Sequence, residues 1–423
     1  MYKKIQIHSS GFSLAEKNRF SWAGVLIFLL FLFGTLFKAD TAEGAGFLPE
    51  SFQPVFSIAR WTMLLLIGTL GCFFVRNACL LNVQVWLYFI FYAFLALWSI
   101  NGGDFLRFFS MSIFVISVPL FFKKNVRTIS YLRNVLRLIL FCAVILIILS
   151  LAFNAGWYSY RFPGPFANPN TYSMANLFFI SIAVTLFFLT PLNSRFERGL
   201  LVGMCVFLVV MQVATGSKAG AAGLFAMIGF FFLGNGIRLK TLLVIGVSAA
   251  IVFGIANMFA AQALDRFTTF SDATESGRDA IWEKTIDCIR REPMSGYGTS
   301  TEAKIIHVGT DHIHSFYLSL FFFTGIPVGA IISTLYLTAA SFAFFVRKKI
   351  LQKQIRSAFL ASSSFLVGFA LQAVGEEAPS GVGNPIFVYF LLTLGITSSL
   401  LSMAPLLCRY GNNKCAWAEM REK

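Results

Sequence analysis

Apolar residues run along the chain in stretches of about 18–22 residues, separated by short polar or charged links. A helix needs about 20 apolar residues to cross the hydrocarbon core of a bilayer. The pattern therefore predicts an all-α polytopic membrane protein with about 12 transmembrane helices. The predicted spans are roughly 21–37, 56–75, 80–100, 105–122, 135–153, 171–190, 199–215, 219–234, 241–260, 316–346, 357–375 and 385–404. Gly325 and Pro327 in the tenth span predict a kink or a shifted start.

Lysine and arginine are unevenly divided between alternate links, which predicts the orientation of the spans. One set of alternate links is rich in basic residues, whereas the links between them carry mainly single charges. The basic set includes Lys3, Lys4, Lys17, Arg19, Arg76, Lys123, Lys124, Arg127, Arg195, Arg198, Arg238, Lys240, Arg347, Lys348, Lys349, Lys353, Arg356, Arg409, Lys414, Arg421 and Lys423. Both termini are therefore expected in the cytoplasm, and an even number of spans agrees with that. The polar start, up to about Phe20, and the lack of a small-residue cleavage site predict no signal peptide.

The chain is interpreted as a single membrane domain, 1–423, with one large loop on the outer side. This loop covers about 261–315, between helices 9 and 10. Inside it, apolar residues recur at helical spacing over about 277–291, which predicts a short amphipathic helix on the membrane surface.

Composition supports a membrane protein and excludes other classes. The 423 residues are 57% hydrophobic and 13% charged, with a mean hydropathy of +0.74. A soluble domain of this length could not bury that much apolar surface. The net charge of +15 does not indicate nucleic acid, because no basic stretch is interleaved with stacking aromatics.

Four separate outer segments each contribute one side chain of chemical interest. Arg161 begins the Gly/Pro-rich segment RFPGPFANPN, Lys218 lies in TGSKAGAAG, Arg278 opens the predicted loop helix, and His314 precedes the tenth span. Each has a purely structural alternative: a snorkelling arginine at a helix cap, a turn with tight helix packing, a surface charge, or a solvated histidine. A cation in the first turn of a helix is poorly placed for helix stability, which favours another use for Arg278.

Neighbouring polar residues are candidate supporting groups. His312, Asp311 and Ser315 flank His314, while Glu376 and Glu377 lie in a later outer link. The two glutamates are either a solvated acidic link or partners for an arginine or for sugar hydroxyls. The histidines could suggest zinc, but the loop's carboxylates are scattered, so neither a metal nor another cofactor is expected.

Three cations and an imidazole on one side of the membrane suit a reaction on a phosphate-bearing lipid. Fixed cations stabilise a diphosphate more strongly as its sugar bond breaks, because its negative charge grows. A neutral imidazole can take a proton from an incoming sugar hydroxyl. The apolar spans would bind the polyprenyl tail.

The segments RFPGPFANPNTYSMA, TGSKAG, SGRDAIWEKTIDCIRREPMSGYG and HSFYLSLFFFTGIPVG occur in this order between Arg161 and about Gly329. In these motifs the chain resembles the O-antigen ligase and polymerase superfamily of bacterial inner-membrane glycan transferases. The last segment is similar to that family's pattern of a histidine, then Asn, Ser or Gln, then nine residues and a glycine. In this chain the pattern corresponds to His314, Ser315 and Gly325. The chain departs from the usual pattern at Lys218, where an arginine is common, and at Val328.

The resemblance implies a metal-independent and inverting glycosyltransferase of the inner membrane, with its active site facing the periplasm. His314 would be the general base, and Arg161, Lys218 and Arg278 would hold the diphosphate of an undecaprenyl-diphosphate-linked glycan. The acceptor would be lipid A–core in a ligase, or a growing glycan in a polymerase of O-antigen, capsule or exopolysaccharide. A polysaccharide transporter or flippase is the alternative from another class, although no clear pseudo-repeat favours it.

Overall fold

The computed structural model describes residues 22–36, 50–75, 78, 81–152, 161–166, 168–236, 278–376 and 385–404. Within them the chain forms α-helices and short 3₁₀ turns. The helices are α1 (Trp22–Leu36), α2 (Gln53–Cys72), α3 (Val83–Leu97), α4 (Gly102–Asn125), α5 (Ile129–Ala152), α6 (Pro169–Leu189), α7 (Arg195–Ala214), α8 (Lys218–Gly234), α9 (Arg278–Arg291), α10 (Thr301–Val308), α11 (Phe316–Val346), α12 (Lys353–Gln372) and α13 (Pro385–Met403).

Eleven of the described helices coincide with predicted apolar spans, whereas α9 and α10 lie in the predicted outer loop. Eight of those described are long and apolar enough to cross a membrane, and α1, α3 and α8 are shorter apolar helices. The predicted span 241–260 and both termini lie outside the described residues, so the count of twelve and the orientation remain predictions. The amphipathic loop helix expected over about 277–291 is present as α9.

The centre of the bundle is formed by α6, α12 and α13. In the most apolar 18-residue stretch of α6 and of α13, 83% is buried inside the protein. The corresponding share in α7 is 17%, so α7 lies at the edge of the bundle. Helices α8 and α12 meet through two glycines. A Cβ added to Gly223 would lie 2.8 Å from the carbonyl oxygen of Gly368, so neither position can carry a side chain without separating the helices.

Helix α11 folds back on itself at Gly325, which has φ 73° and ψ 175°. The ring centroids of Phe316 and Tyr336 are 5.2 Å apart, whereas a straight helix would hold them about 30 Å apart. A Cβ on Gly329 would lie 3.1 Å from Cα of Phe321. The expected kink is therefore a hairpin, with a first limb over 316–324 and a second limb over 326–346. The second limb alone is about 30 Å long, enough to cross a bilayer.

The tip of this hairpin is closed by the loop 293–298. The amides of Tyr297 and Gly298 donate to the carbonyls of Phe322 and Phe323, at 2.8 and 2.9 Å. In return, the amide of Ile326 donates to the Pro293 carbonyl at 2.7 Å. These bonds satisfy backbone groups that the break at Gly325 would leave unpaired, which is why the turn is stable. We call this arrangement the hairpin clasp.

A second, smaller hydrophobic core supports the loop helices beside the clasp. Its buried members come from α9, α10, the segment after α10 and the first limb of α11: Cys288, Ile289, Val308, Ile313, Phe322 and Phe323. The core fixes residues 309–315 against α9, so the histidine segment has a defined position.

Candidate active site

Arg161 packs against the turn that joins α7 to α8. Its Nε donates to the carbonyl of Thr215 at 2.8 Å, and its Nη2 donates to Oδ1 of Asn170 at 2.6 Å. The next amide, that of Phe162, donates to the Ala214 carbonyl at 2.9 Å. Gly216 has φ 59°, and an added Cβ would lie 3.3 Å from Cγ of Arg161. The glycine thus allows the turn and the arginine side chain to approach each other.

Lys218 is the exposed first residue of α8. The hydroxyl of Ser217 caps this helix by accepting from the amide of Gly220 at 3.1 Å. The first turn of α8 contains no acidic residue. Because Lys218 is the first residue of α8, it lies at the positive end of the helix dipole. An anion bound there would be stabilised by both the lysine and the backbone amides. The packing alternative also holds for the glycines of this segment, since Gly220 leaves room for the Ser173 side chain.

Arg278 contacts the turn 373–376 at the end of α12. Its Nη1 donates to the carbonyl of Gly375 at 3.0 Å, and its Nη2 forms an ion pair with Oε1 of Glu376 at 3.1 Å. The two side chains are 28% and 15% exposed. The start of α8 reaches the same turn, because a Cβ on Gly375 would lie 3.4 Å from Cβ of Ala219. Gly375 therefore lies next to both Ala219, the residue after Lys218, and the guanidinium of Arg278.

His314 has φ 56° and is the one non-glycine residue with positive φ among those the structure describes. This conformation costs about 1–2 kcal/mol for most residues, and such backbone strain is concentrated at functional sites. Two anchors hold it. Ile313 is fully buried, and its carbonyl accepts from Nε1 of Trp282 at 2.9 Å. On the other side, the amide of Phe316 donates to the carbonyls of Ala373 and Glu376 at 3.0 and 3.2 Å.

The other predicted loop residues differ in exposure, since Asp311 and His312 are exposed and Ser315 is buried. The side chains of His312 and Asp311 are 61% and 59% exposed, with His312 Nε2 3.4 Å from a carboxylate oxygen of Asp311. The rings of His312 and His314 are 6.0 Å apart. Ser315 is buried and caps the first limb of α11, accepting from the amide of Leu318 at 3.4 Å. In the described ranges, no group of three His, Cys, Asp or Glu residues could hold a metal ion.

Glu377 lies outside the residues that the structure describes. His307, in α10, is exposed, and its ring lies 4.3 Å from that of Tyr297.

A buried polar network underlies Arg161, and its members were not among the predicted site residues. The Asn170 carbonyl accepts from Nε2 of Gln372 at 3.4 Å. Ser173 accepts from Gln212 at 2.6 Å, and Asn176 donates to Gln212 at 2.9 Å. The network ties α6, α7 and α12 together behind the arginine. Its signal was present in the sequence, because amide side chains inside apolar spans are costly unless they bond one another.

The four predicted residues thus lie along one connected surface. Arg161 touches the turn 215–218, the start of α8 touches Gly375, and Arg278 binds the turn 373–376. Two carbonyls of the turn 373–376 also accept a hydrogen bond from the amide of Phe316, two residues after His314. The contacts join five segments that are distant in sequence at one end of the bundle, which we call the site end.

The fold defines a helical polytopic membrane protein, and the connected surface at its site end is the candidate active site. The family model described as O-antigen ligase matches residues 203–333. The matched segment runs from α7 through α8, α9 and α10 into the second limb of α11. It supports membership of the chain in the O-antigen ligase and polymerase superfamily, as the resemblance predicted. Comparison with curated proteins gave no match.

Proposed function

We propose that this protein is an O-antigen ligase-like glycosyltransferase. It moves a glycan from undecaprenyl diphosphate to a hydroxyl of lipid A–core, on the periplasmic side of the inner membrane. The observation that carries the proposal is the connected surface that joins Arg161, Lys218, Arg278 and the support of His314. The family match makes a lipid-linked glycan the expected substrate class.

In the proposed reaction, His314 removes the proton from the acceptor hydroxyl. The acceptor oxygen forms a bond to the anomeric carbon, and the bond from that carbon to the diphosphate oxygen breaks with inversion. The diphosphate keeps the electron pair, and His314 later gives its proton to water. General-base catalysis of this kind contributes about 10²- to 10⁴-fold to the rate.

The cations act on the leaving group. Negative charge on the diphosphate increases as the sugar bond breaks, so fixed cations stabilise the transition state more than the ground state. A hydrogen bond to a charged group contributes about 1.5–3 kcal/mol, which is about ten- to a hundredfold in affinity. The proposed neutralisation by Arg161, Lys218 and Arg278 requires no metal ion.

The direct test is transfer by the purified protein in detergent with a lipid-linked donor and a lipid A–core acceptor. His314→Asn is the appropriate variant, because asparagine tolerates the left-handed backbone that His314 adopts. It should fold normally and lose transfer by at least a hundredfold, while His307→Asn, at an exposed histidine outside the candidate site, should remain active. Transfer should also persist in EDTA. Full activity of His314→Asn would remove the proposed base, and loss of activity in EDTA would contradict the metal-free scheme.

A polymerase of O-antigen, capsule or exopolysaccharide repeat units is the second proposal. Lys218 replaces the arginine that is common at this position in the family and lacks bidentate phosphate recognition. This departure weakens the ligase assignment without indicating which acceptor is used. Deleting the gene separates the two functions. Loss of all polymer from lipid A–core indicates a ligase, whereas single-repeat caps indicate a polymerase. Product formation in detergent separates both from a transporter or flippase, which needs two compartments.

A further inference from the structure

The cation proposed to bind the donor is already paired with a carboxylate. Glu376 Oε1 lies 3.1 Å from Nη2 of Arg278, and Nη1 of the same guanidinium donates to the Gly375 carbonyl. Both side chains are mostly buried, so this ion pair is less screened by water than a surface pair. The donor's diphosphate and Glu376 would therefore compete for the same guanidinium.

Sharing the guanidinium without rearrangement is unfavourable. A phosphate on Nη2 would stand within a few ångströms of the Glu376 carboxylate, and like charges repel strongly where water is partly excluded. The side chain of Glu376 can yield while its backbone stays. Its carbonyl accepts from the amide of Phe316 at 3.2 Å, and Ala373 accepts from the same amide. Rotation of the Glu376 side chain thus leaves the turn that supports His314 in place.

We propose that Glu376 is an internal competitor of the donor diphosphate. In the absence of donor it holds Arg278 in position and neutralises it, and the arriving diphosphate displaces the carboxylate from Nη2. Glu376 is therefore a positioning residue that acts through Arg278. The inference rests on the proposed function, since it takes Arg278 as a phosphate ligand.

The variant that tests this inference is Glu376→Gln. Glutamine keeps the length of the side chain and an oxygen that can accept from Arg278, but it removes the competing charge. Binding of undecaprenyl diphosphate to the full-length protein in detergent should become about five- to tenfold tighter. The KM for the glycan donor should fall by a similar factor, whereas a purely structural role of Glu376 would change the thermal unfolding midpoint and leave KM unaltered.

Two matched variants control this measurement. Glu283→Gln makes the same charge change on an exposed residue of α9 and should leave affinity unchanged. In the Arg278→Gln background, Glu376→Gln should give no gain, because the competition needs the guanidinium. Glu376→Asp, which keeps the charge but shortens the reach, should bind between the wild type and Glu376→Gln, and it serves as the test if the glutamine variant does not fold.

The inference is overturned if Glu376→Gln binds undecaprenyl diphosphate no more tightly than the wild type. It is also overturned if the gain persists without Arg278. Failure of the proposed function gives a different result, because Arg278→Gln alone would then bind the diphosphate as well as the wild type.

Discussion

Replacing Gly325 by alanine should open the hairpin clasp. The backbone at Gly325, with φ 73° and ψ 175°, lies in a region used almost only by glycine. An added Cβ would stand 2.6 Å from the carbonyl carbon and oxygen of Met294, and 2.9 Å from the oxygen of Pro293. Both contacts are with backbone atoms, so a side-chain rotation cannot relieve them.

The expected destabilisation follows from these contacts. Holding alanine in this backbone region costs about 1–3 kcal/mol. Lifting the loop away instead would break three backbone hydrogen bonds at about 1 kcal/mol each. The clasp is therefore weakened by about 1–3 kcal/mol, which corresponds to an increase of about 5- to 100-fold in its open fraction.

Amide hydrogen exchange measures this opening directly. The amides of Tyr297, Gly298 and Ile326 donate the three bonds, so in Gly325→Ala they should exchange about 5- to 100-fold faster than in the wild type. Gly229→Ala is the matched control, because no atom lies within 4 Å of its added Cβ. If the three amides in Gly325→Ala exchange within about threefold of the wild-type rate, the backbone strain and the clash at Gly325 do not destabilise the hairpin clasp.

Two further predictions concern the support of the site and the loop core. Asn170→Ala should raise the KM for donor about tenfold, because Nη2 of Arg161 loses the 2.6 Å bond that orients it; an unchanged KM would exclude this role. Burial, and to a lesser extent Asp287, raises the pKa of the Cys288 thiol, although Arg291 opposes the shift. Less thiolate is then present at neutral pH, so maleimide should label Cys288 slowly and faster as pH rises toward the raised pKa; rapid labelling at pH 7 in the folded protein would contradict its burial.

Much of the fold follows from one-dimensional patterns. The apolar stretches predict the helices of the bundle, and the spacing of Ile281, Trp282, Ile286 and Ile289 predicts α9, because both depend on local periodicity. The reversal at Gly325 could not be predicted in the same way. Glycine and proline weaken the helix locally, but the hairpin needs hydrogen bonds from residues 293–298, whose position is set by tertiary packing.

The candidate site could likewise be predicted only in part from local sequence. Arg161, Lys218, Arg278 and His314 could be selected because each is a polar residue beside an apolar segment on one predicted face. The ion pair of Arg278 with Glu376 joins residues almost 100 positions apart, and no local pattern distinguishes Glu376 from its neighbour Glu377. The positive φ of His314 likewise results from two anchors outside the histidine itself.

The central claim is that Arg161, Lys218 and Arg278 form one diphosphate site beside His314. The most direct measurement is the affinity of the purified protein for undecaprenyl diphosphate, compared among the wild type, the three single cation-to-glutamine variants and His314→Asn. Each cation variant should bind at least about tenfold more weakly, while His314→Asn should bind normally and transfer glycan at least about a hundredfold more slowly. Wild-type affinity in all three cation variants would contradict the account.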